Sequence, residues 1–364
     1  MSGTIPGPES PDRLSHRTDH ERKRRFRRPL LLASVMVLLA VASCSWWIAS
    51  YAISPSTPDH GTTVLVPRGA GVREIQSILA RHDLIGDDGR FLVLAYLTRT
   101  AGRLRAGEYL IPPQQTPLQI LRLLEKGKVV LHPVTIPEGL NIAQIARILE
   151  EGEWINGPLF VRLAGDPAFI ATLGFDLSSL EGYLFPDTYL LTRGEVSEKS
   201  LLAMMVNRFH AVWASVTANT APEMTRHQVI TLASMVEKEA ATAQERPIIA
   251  GVFLNRLARN MRLQSDPTVI YGLDEFDGNL TREDLKRETA YNTYVVGGLP
   301  PGPICSPGRE SIEAVLRPAD VPFLYFVSKN DGTHHFSVTL KEHNEAVYRY
   351  QVLPARRQKS SGQL

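Results

Sequence analysis

The chain has 364 residues, 43% of them hydrophobic and 21% charged, an ordinary composition for a folded protein with room for two or three compact units. Forty basic side chains against 38 acidic ones leave a net charge of +2, which gives no bulk attraction for nucleic acid. The two cysteines, Cys44 and Cys305, stand in no metal-ligand spacing and supply no disulfide framework.

Residues 1–28 read as a polar tail ending in the basic run HERKRRFRR. Residues 29–50 carry no charge, and about 20 apolar residues cross a bilayer as a helix, so a single transmembrane span is expected. The basic residues crowd one end, which puts residues 1–28 in the cytoplasm. Trp46 and Trp47 sit near the other end, where indoles favour the interface. Two alternatives stand beside this anchor. A cleaved signal peptide would usually have a shorter apolar run and a small-residue cleavage site. The tetrapeptide Val41-Ala42-Ser43-Cys44 is similar to a lipoprotein box, with an acyl chain on Cys44 as the anchor. The apolar run continues past Cys44 to Ile48, which favours a retained helix; all three readings export the chain.

Residues 51–61 read as a linker rich in Pro and Ser. One pattern then recurs: an apolar residue and Pro (66–67, 111–112, 136–137), followed eight residues after the Pro by an apolar i, i+3, i+4 set starting at Ile75, Ile120 and Ile145. Each copy predicts a short strand, a turn and an amphipathic helix, with Pro tolerated at the strand end. Spacings of 45 and then 25 residues are too irregular for a solenoid. A small α/β module over residues 62–155 is expected, with RAGEYLIP (105–112) as a returning strand. It resembles a LysM-like domain, a type that binds N-acetylglucosamine-containing glycans; a plain packing domain is the alternative.

A larger mixed helical and strand domain is expected over residues 156–350, followed by a polar tail at 351–364, so the fold class is α+β. Residues 181–189, EGYLFPDTY, read as a loop or strand edge. Their aromatics, with Glu181 and Asp187, suit either a sugar groove or the anchoring of a loop to a core. A helix is predicted from about 226 to 243, carrying Glu237 and Glu239. Two positions apart is about 200° around a helix, so both carboxylates cannot serve one site. Glu239 is backed by Leu232, Met235 and Val236, Glu237 by Ile230, Ala233 and Ser234. Burial in the bulkier company would raise the pKa of Glu239, which a general acid needs, and leave Glu237 in support. Pro247 suits the first turn of the next helix. Gln264, Ser265, Asp266 and Thr268 form a polar turn suited to sugar hydroxyls and acetamido groups. Residues 297–304 form a stiff Gly/Pro loop, and 322–328 and 335–337 a β-hairpin around Asp331-Gly332. His334, His335 and His343 do not make a metal site, because neighbours on a strand face opposite ways and no HExxH is present. There is no G-x-S-x-G motif, and the basic runs at 20–28 and 356–359 read as an orientation signal and a solvated tail.

Taken together, EGYLFPDTY (181–189), LASMVEKEA (232–240), GVFLNRL (251–257), MRLQSDPTVIYG (261–272), AYNTY (290–294), GLPPGPI (298–304), FLYFV (323–327) and the H-F and H-N pairs at 335–336 and 343–344 resemble the YceG-like family, the endolytic murein transglycosylases. No single motif is specific, but the colinear set is. The resemblance implies lytic cleavage of peptidoglycan between N-acetylmuramic acid and N-acetylglucosamine, leaving 1,6-anhydromuramyl ends, with no cofactor and no metal. It implies Glu239 as the single acid/base. Tyr271, Asn292 and Tyr294, with Glu181 and Asp187, are expected as substrate contacts. Glu237, Arg246, Asn255 and Arg256 are expected as supporting residues. Ser265 stands where the family usually has Thr. Implied partners are glycan strands, the cytoplasmic membrane and peptidoglycan synthases of the penicillin-binding type. A non-catalytic glycan-binding scaffold of the synthesis machinery is the alternative. A muramidase is a third reading, and would need Asp266 or Glu181 as its second carboxylate.

Overall fold

The computed structural model describes residues 3–4 and 15–354, with side chains from Leu30 onward besides the first pair; residues 5–14 of the tail and the basic run at 356–359 lie outside the described residues. The fold is mixed α+β, and the chain forms two compact units that divide between Val130 and Leu131.

The first unit begins with α1 (Ser15–Ile53), whose stretch Leu30–Ile53 is a 24-residue apolar run long enough to cross a membrane. Leu31, Met36 and Leu38 expose most of their surface. The helix runs past the expected linker boundary, because Tyr51 and Ala52 are buried in the first unit's core. Next come β1 (Thr62–Val66), α2 (Val72–Arg81), α3 (Arg90–Leu97), β2 (Gly107–Ile111) and α4 (Pro117–Lys126). The two strands pair antiparallel with Val64 opposite Tyr109, and their inward residues meet Ile75, Leu79, Ile120 and Leu124 from the helices. Both strands stop at the residue before a proline, as the repeated pattern predicts, since proline offers the ladder no N–H. Thr116 and Gln119 form a capping box that starts α4, and Gly127 in the left-handed region ends it.

The second unit opens with the third copy of the pattern, β3 (His132–Thr135) and α5 (Ile142–Glu151), whose Ile145 and Leu149 join this unit's core. Two short helices follow, α6 (Gly157–Ala164) and α7 (Pro167–Thr172), then β4 (Thr188–Leu191), antiparallel to β3. The rings of Tyr183, Phe185 and Tyr189 are buried in this core, so they anchor the loop before β4 and offer no face to a sugar. Gly182 has φ +81, and a Cβ there would meet Pro303 at 2.4 Å, so only glycine fits.

The centre of the unit is α9 (Arg226–Glu239), preceded by α8 (Glu198–Thr217). A Thr225–Gln228 capping box starts α9, and all eight residues from Val229 to Val236 are buried. A helix enclosed on every side serves as a fixed post for what its ends carry. The chain turns through Ala243–Glu245 into α10 (Arg246–Ala258), with Pro247 in its first turn. Gly251 in α10 lets the backbone at Ala319 approach, where a Cβ would come within 2.7 Å of a carbonyl oxygen. The remaining α-helices and strands are α11 (Asp266–Tyr271), α12 (Arg309–Leu316), the antiparallel hairpin β5 (Tyr325–Ser328) and β6 (His334–Ser337), and α13 (Leu340–Val347), which continues into a π-helical turn at Tyr348–Val352. The expected polar turn at 264–268 is thus half turn and half helix, because Pro267 falls in a first helical turn.

Candidate active site

A cleft of about 440 Å³ in the second unit is lined by Glu239, Arg256, Gln264, Asp266, Tyr294, Tyr325, His334 and His343 among others. Glu239 is the last residue of α9, where Ala240 leaves the helix with extended backbone angles. Burial pushes its carboxyl up to about 7. The nearby negative charge of Asp266 acts in the same direction, and the hydrogen bond from Ser265 and the positive charge of Arg256 act against it. A carboxylate at the negative end of a helix is also disfavoured. The result is an acid poised to hold or release its proton near neutrality.

Ser265 explains the position of that carboxyl. It is the residue before α11, yet its hydroxyl caps no backbone N–H; it donates instead to Glu239 Oε1 at 2.6 Å. The serine is 1% exposed and is fixed by Thr293, whose Oγ1 accepts its N–H at 3.0 Å. Thr268 Oγ1 lies 2.8 Å from Thr293 Oγ1 and donates to the Ser265 carbonyl at 2.6 Å. Gln264, with φ +51, donates its N–H to the Thr293 carbonyl at 3.2 Å. Tyr294 donates its hydroxyl to Asp266 Oδ1 at 2.6 Å, and its own ionisation is pushed up by burial and by that carboxylate. The segments 264–268 and 292–294 therefore hold each other and present Ser265 to Glu239. Ser265→Ala removes a bond that favours the charged form, so the alkaline limb of a pH–rate profile should move to higher pH. An unmoved limb would show that this hydroxyl does not tune Glu239.

Glu237 takes a separate role on the opposite side of α9. Its Oε2 accepts from the Gly308 N–H at 3.0 Å and from Ser311 Oγ at 2.7 Å, satisfying the start of α12. Arg246 lies 3.6 Å from Glu237 Oε1 and donates to Ser311 Oγ and Glu310 Oε2. Asn255 Nδ2 donates to the carbonyls of Val321 at 2.7 Å and Phe323 at 3.1 Å. Arg256 donates to the carbonyls of Leu324 at 2.6 Å, Leu263 at 2.8 Å and Arg262 at 3.2 Å. Those two side chains fasten the start of β5 and the 262–264 segment to α10, so two walls of the cleft are held from one helix.

Other expected site residues lie outside the residues lining this cleft. Asn292 is fully buried and donates to the carbonyls of Asp284, Leu285 and Arg287. Asp187 pairs with Arg208 and accepts the Thr188 N–H. Tyr271 donates its hydroxyl to Glu181 Oε2 at 3.1 Å, and the same oxygen accepts the Ile142 N–H at the start of α5. Glu181 is 7% exposed, its Oε1 has no hydrogen-bond partner among the described residues, and burial pushes its carboxyl from 4.5 up to about 7. Because the folded value lies above the unfolded one, its contribution to stability is fully present below 4.5 and is lost as pH rises through about 7. Glu181→Gln should flatten the fall of melting temperature between those pH values, a difference on the order of 3 kcal/mol. Parallel melting curves for variant and wild type would contradict it.

Sequence reasoning passed over Glu245 and weighed His334 only as a metal ligand. Glu245 is buried and accepts the His334 N–H at 2.7 Å, with His334 Nδ1 at 2.8 Å from its other oxygen. The signal was the His-His pair beside a predicted turn, but its partner lies 89 residues upstream. Tyr325 and His343, stacked at 5.3 Å, complete one wall of the cleft.

A model of the YceG-like family matches residues 64–349. The endolytic murein transglycosylase of Bacillus subtilis is 32% identical over 317 residues, which cover 82% of this chain and 88% of that one. The endolytic murein transglycosylase of Streptococcus pneumoniae is 29% identical over 355 residues, covering 86% of this chain and 64% of its own length. Among solved structures, a yceG-like protein of Listeria monocytogenes aligns with a TM-score of 0.54 at 34% identity, over 79% of this chain and 98% of that one.

Proposed function

The chain belongs to the YceG-like family, and on that basis we propose that it is a membrane-anchored endolytic peptidoglycan lytic transglycosylase with Glu239 as its single acid/base. The observation that carries this is the Glu239 carboxyl itself, held by Ser265 in the cleft and pushed up to about 7. In its neutral form the carboxyl donates a proton to the glycosidic oxygen between N-acetylmuramic acid and N-acetylglucosamine, and the C1–O bond breaks. The resulting carboxylate then takes the proton of the muramyl C6 hydroxyl as that oxygen attacks C1. A 1,6-anhydro ring closes, no water is consumed, and Glu239 ends in the protonated form in which it began. The hydrogen bond from Ser265 and the charge of Arg256 favour the carboxylate of the second half-step, while burial favours the acid of the first.

The anchor is the Leu30–Ile53 run, with residues 1–28 cytoplasmic and the cleft outside the cytoplasmic membrane, where glycan strands lie. The β–α–α–β order of residues 62–111 supports a LysM-like reading of the membrane-proximal part. Synthases of the penicillin-binding type would be natural neighbours of an enzyme that cuts new strands. The full chain in detergent, incubated with uncrosslinked glycan strands, should release shorter strands ending in anhydromuramyl residues. Strand binding without any shortening would favour a scaffold instead.

A further inference from the structure

Beside Glu239 the cleft holds a side chain prepared more carefully than packing requires. His334 begins β6, and Glu245 engages it twice, through its main-chain N–H at 2.7 Å and its ring Nδ1 at 2.8 Å. The main-chain bond alone would tie β6 to the turn after α9; the second bond fixes the ring. A carboxylate offers only acceptor sites, so Nδ1 carries the hydrogen and Nε2 of the neutral ring keeps a free lone pair. The two side chains are 11% and 10% exposed, and the Phe326 ring stands nearly perpendicular to the imidazole with the ring centroids 5.4 Å apart. Among the described residues no protein group pairs with Nε2, yet His334 lines the same cleft as Glu239. A histidine locked in tautomer and orientation by a buried acid, on the wall of the Glu239 cleft and with its second nitrogen unpaired among the described residues, is arranged to meet a ligand.

We propose that His334 is a second substrate-contacting group of this cleft: held by Glu245, it presents Nε2 as an acceptor to a hydroxyl of the N-acetylhexosamine bound at Glu239. This rests on the glycan-cleaving reading above and adds to it. The proton transfers stay with Glu239; His334 orients the sugar, and Glu245 is a positioning residue that acts through it.

The test uses the full chain in detergent with uncrosslinked glycan strands. His334→Phe keeps an aromatic ring beside Phe326 but has no acceptor, and should lower kcat/KM by roughly 10-fold to 100-fold. His334→Gln, whose side-chain oxygen can accept a hydrogen bond, should recover part of that loss. Glu245→Gln should impair the wild type but add little to His334→Phe, because both changes remove one interaction. If the phenylalanine variant does not fold, His334→Leu takes its place. Wild-type activity without the imidazole, equal losses in the Phe and Gln variants, or full additivity with Glu245→Gln would overturn the proposal. Activity retained by Glu239→Gln would instead overturn the reading beneath it, so the two failures are distinguishable.

Discussion

Glu239→Gln should lower kcat for strand cleavage by roughly 10²–10⁴-fold, the range expected for losing a general acid/base. The amide carbonyl can still accept the Ser265 hydroxyl, so the cleft keeps its shape. What disappears is the proton that the first half-step donates and the base that the second requires. The variant should also gain stability above neutral pH. The folded value of Glu239, about 7, lies above its ordinary 4.5, so the wild-type carboxyl loses stabilisation as pH rises through that window. An uncharged amide is free of that loss. Activity in the wild type should therefore decline as pH rises past about 7, where the acid form is depleted. Thermal melts and initial rates across pH check both parts; a variant that is inactive because it is unfolded would not count in favour.

Arg256→Leu should be the most damaging change among the supporting residues. The guanidinium satisfies three carbonyl oxygens, of Leu324, Leu263 and Arg262, and lies 5.2 Å over the Tyr325 ring. Leaving buried acceptors without a donor costs about 1–3 kcal/mol each, so a total of about 3–5 kcal/mol is expected. For a unit of this size that lowers the melting temperature by about 10 °C. Activity should fall further than stability alone explains, because the 262–264 segment and β5 both border the cleft. Arg256→Lys should rescue little, since a single ammonium cannot replace a planar fork that reaches several carbonyls. Normal melting in the leucine variant would show that these contacts are dispensable.

The parts of the fold with local causes were legible in the sequence. Val66-Pro67 and Ile111-Pro112 end strands, and Ile75, Ile120 and Ile145 point into cores, because strand ends and helix faces are set by neighbours within a few residues. The hairpin around Asp331-Gly332 followed from its turn residues. The Glu237 and Glu239 pair shows where that reasoning stops. Their apolar company does not distinguish them, because α9 is buried on all sides from Val229 to Val236. They differ in long-range partners: Gly308 and Ser311 for Glu237, Ser265 for Glu239. Residue type alone also misplaced attention. Asn292 looks like a sugar ligand, but its amide is spent on three backbone carbonyls. The aromatics of 181–189 look like a stacking platform, but they are core. Glu245 and His334 meet across 89 residues, a distance at which composition carries no information.

The central claim is that one carboxyl performs both proton transfers and that no water enters the product. Glycan strands digested by the full chain in heavy-oxygen water, with the new ends read by mass spectrometry, test it most directly. The account predicts anhydromuramyl ends that carry no solvent oxygen, and new ends formed by Glu239→Gln at a rate lowered by the roughly 10²–10⁴-fold given above. Reducing ends labelled with solvent oxygen would contradict it and point to hydrolysis, with Asp266 in the same cleft as the second carboxylate.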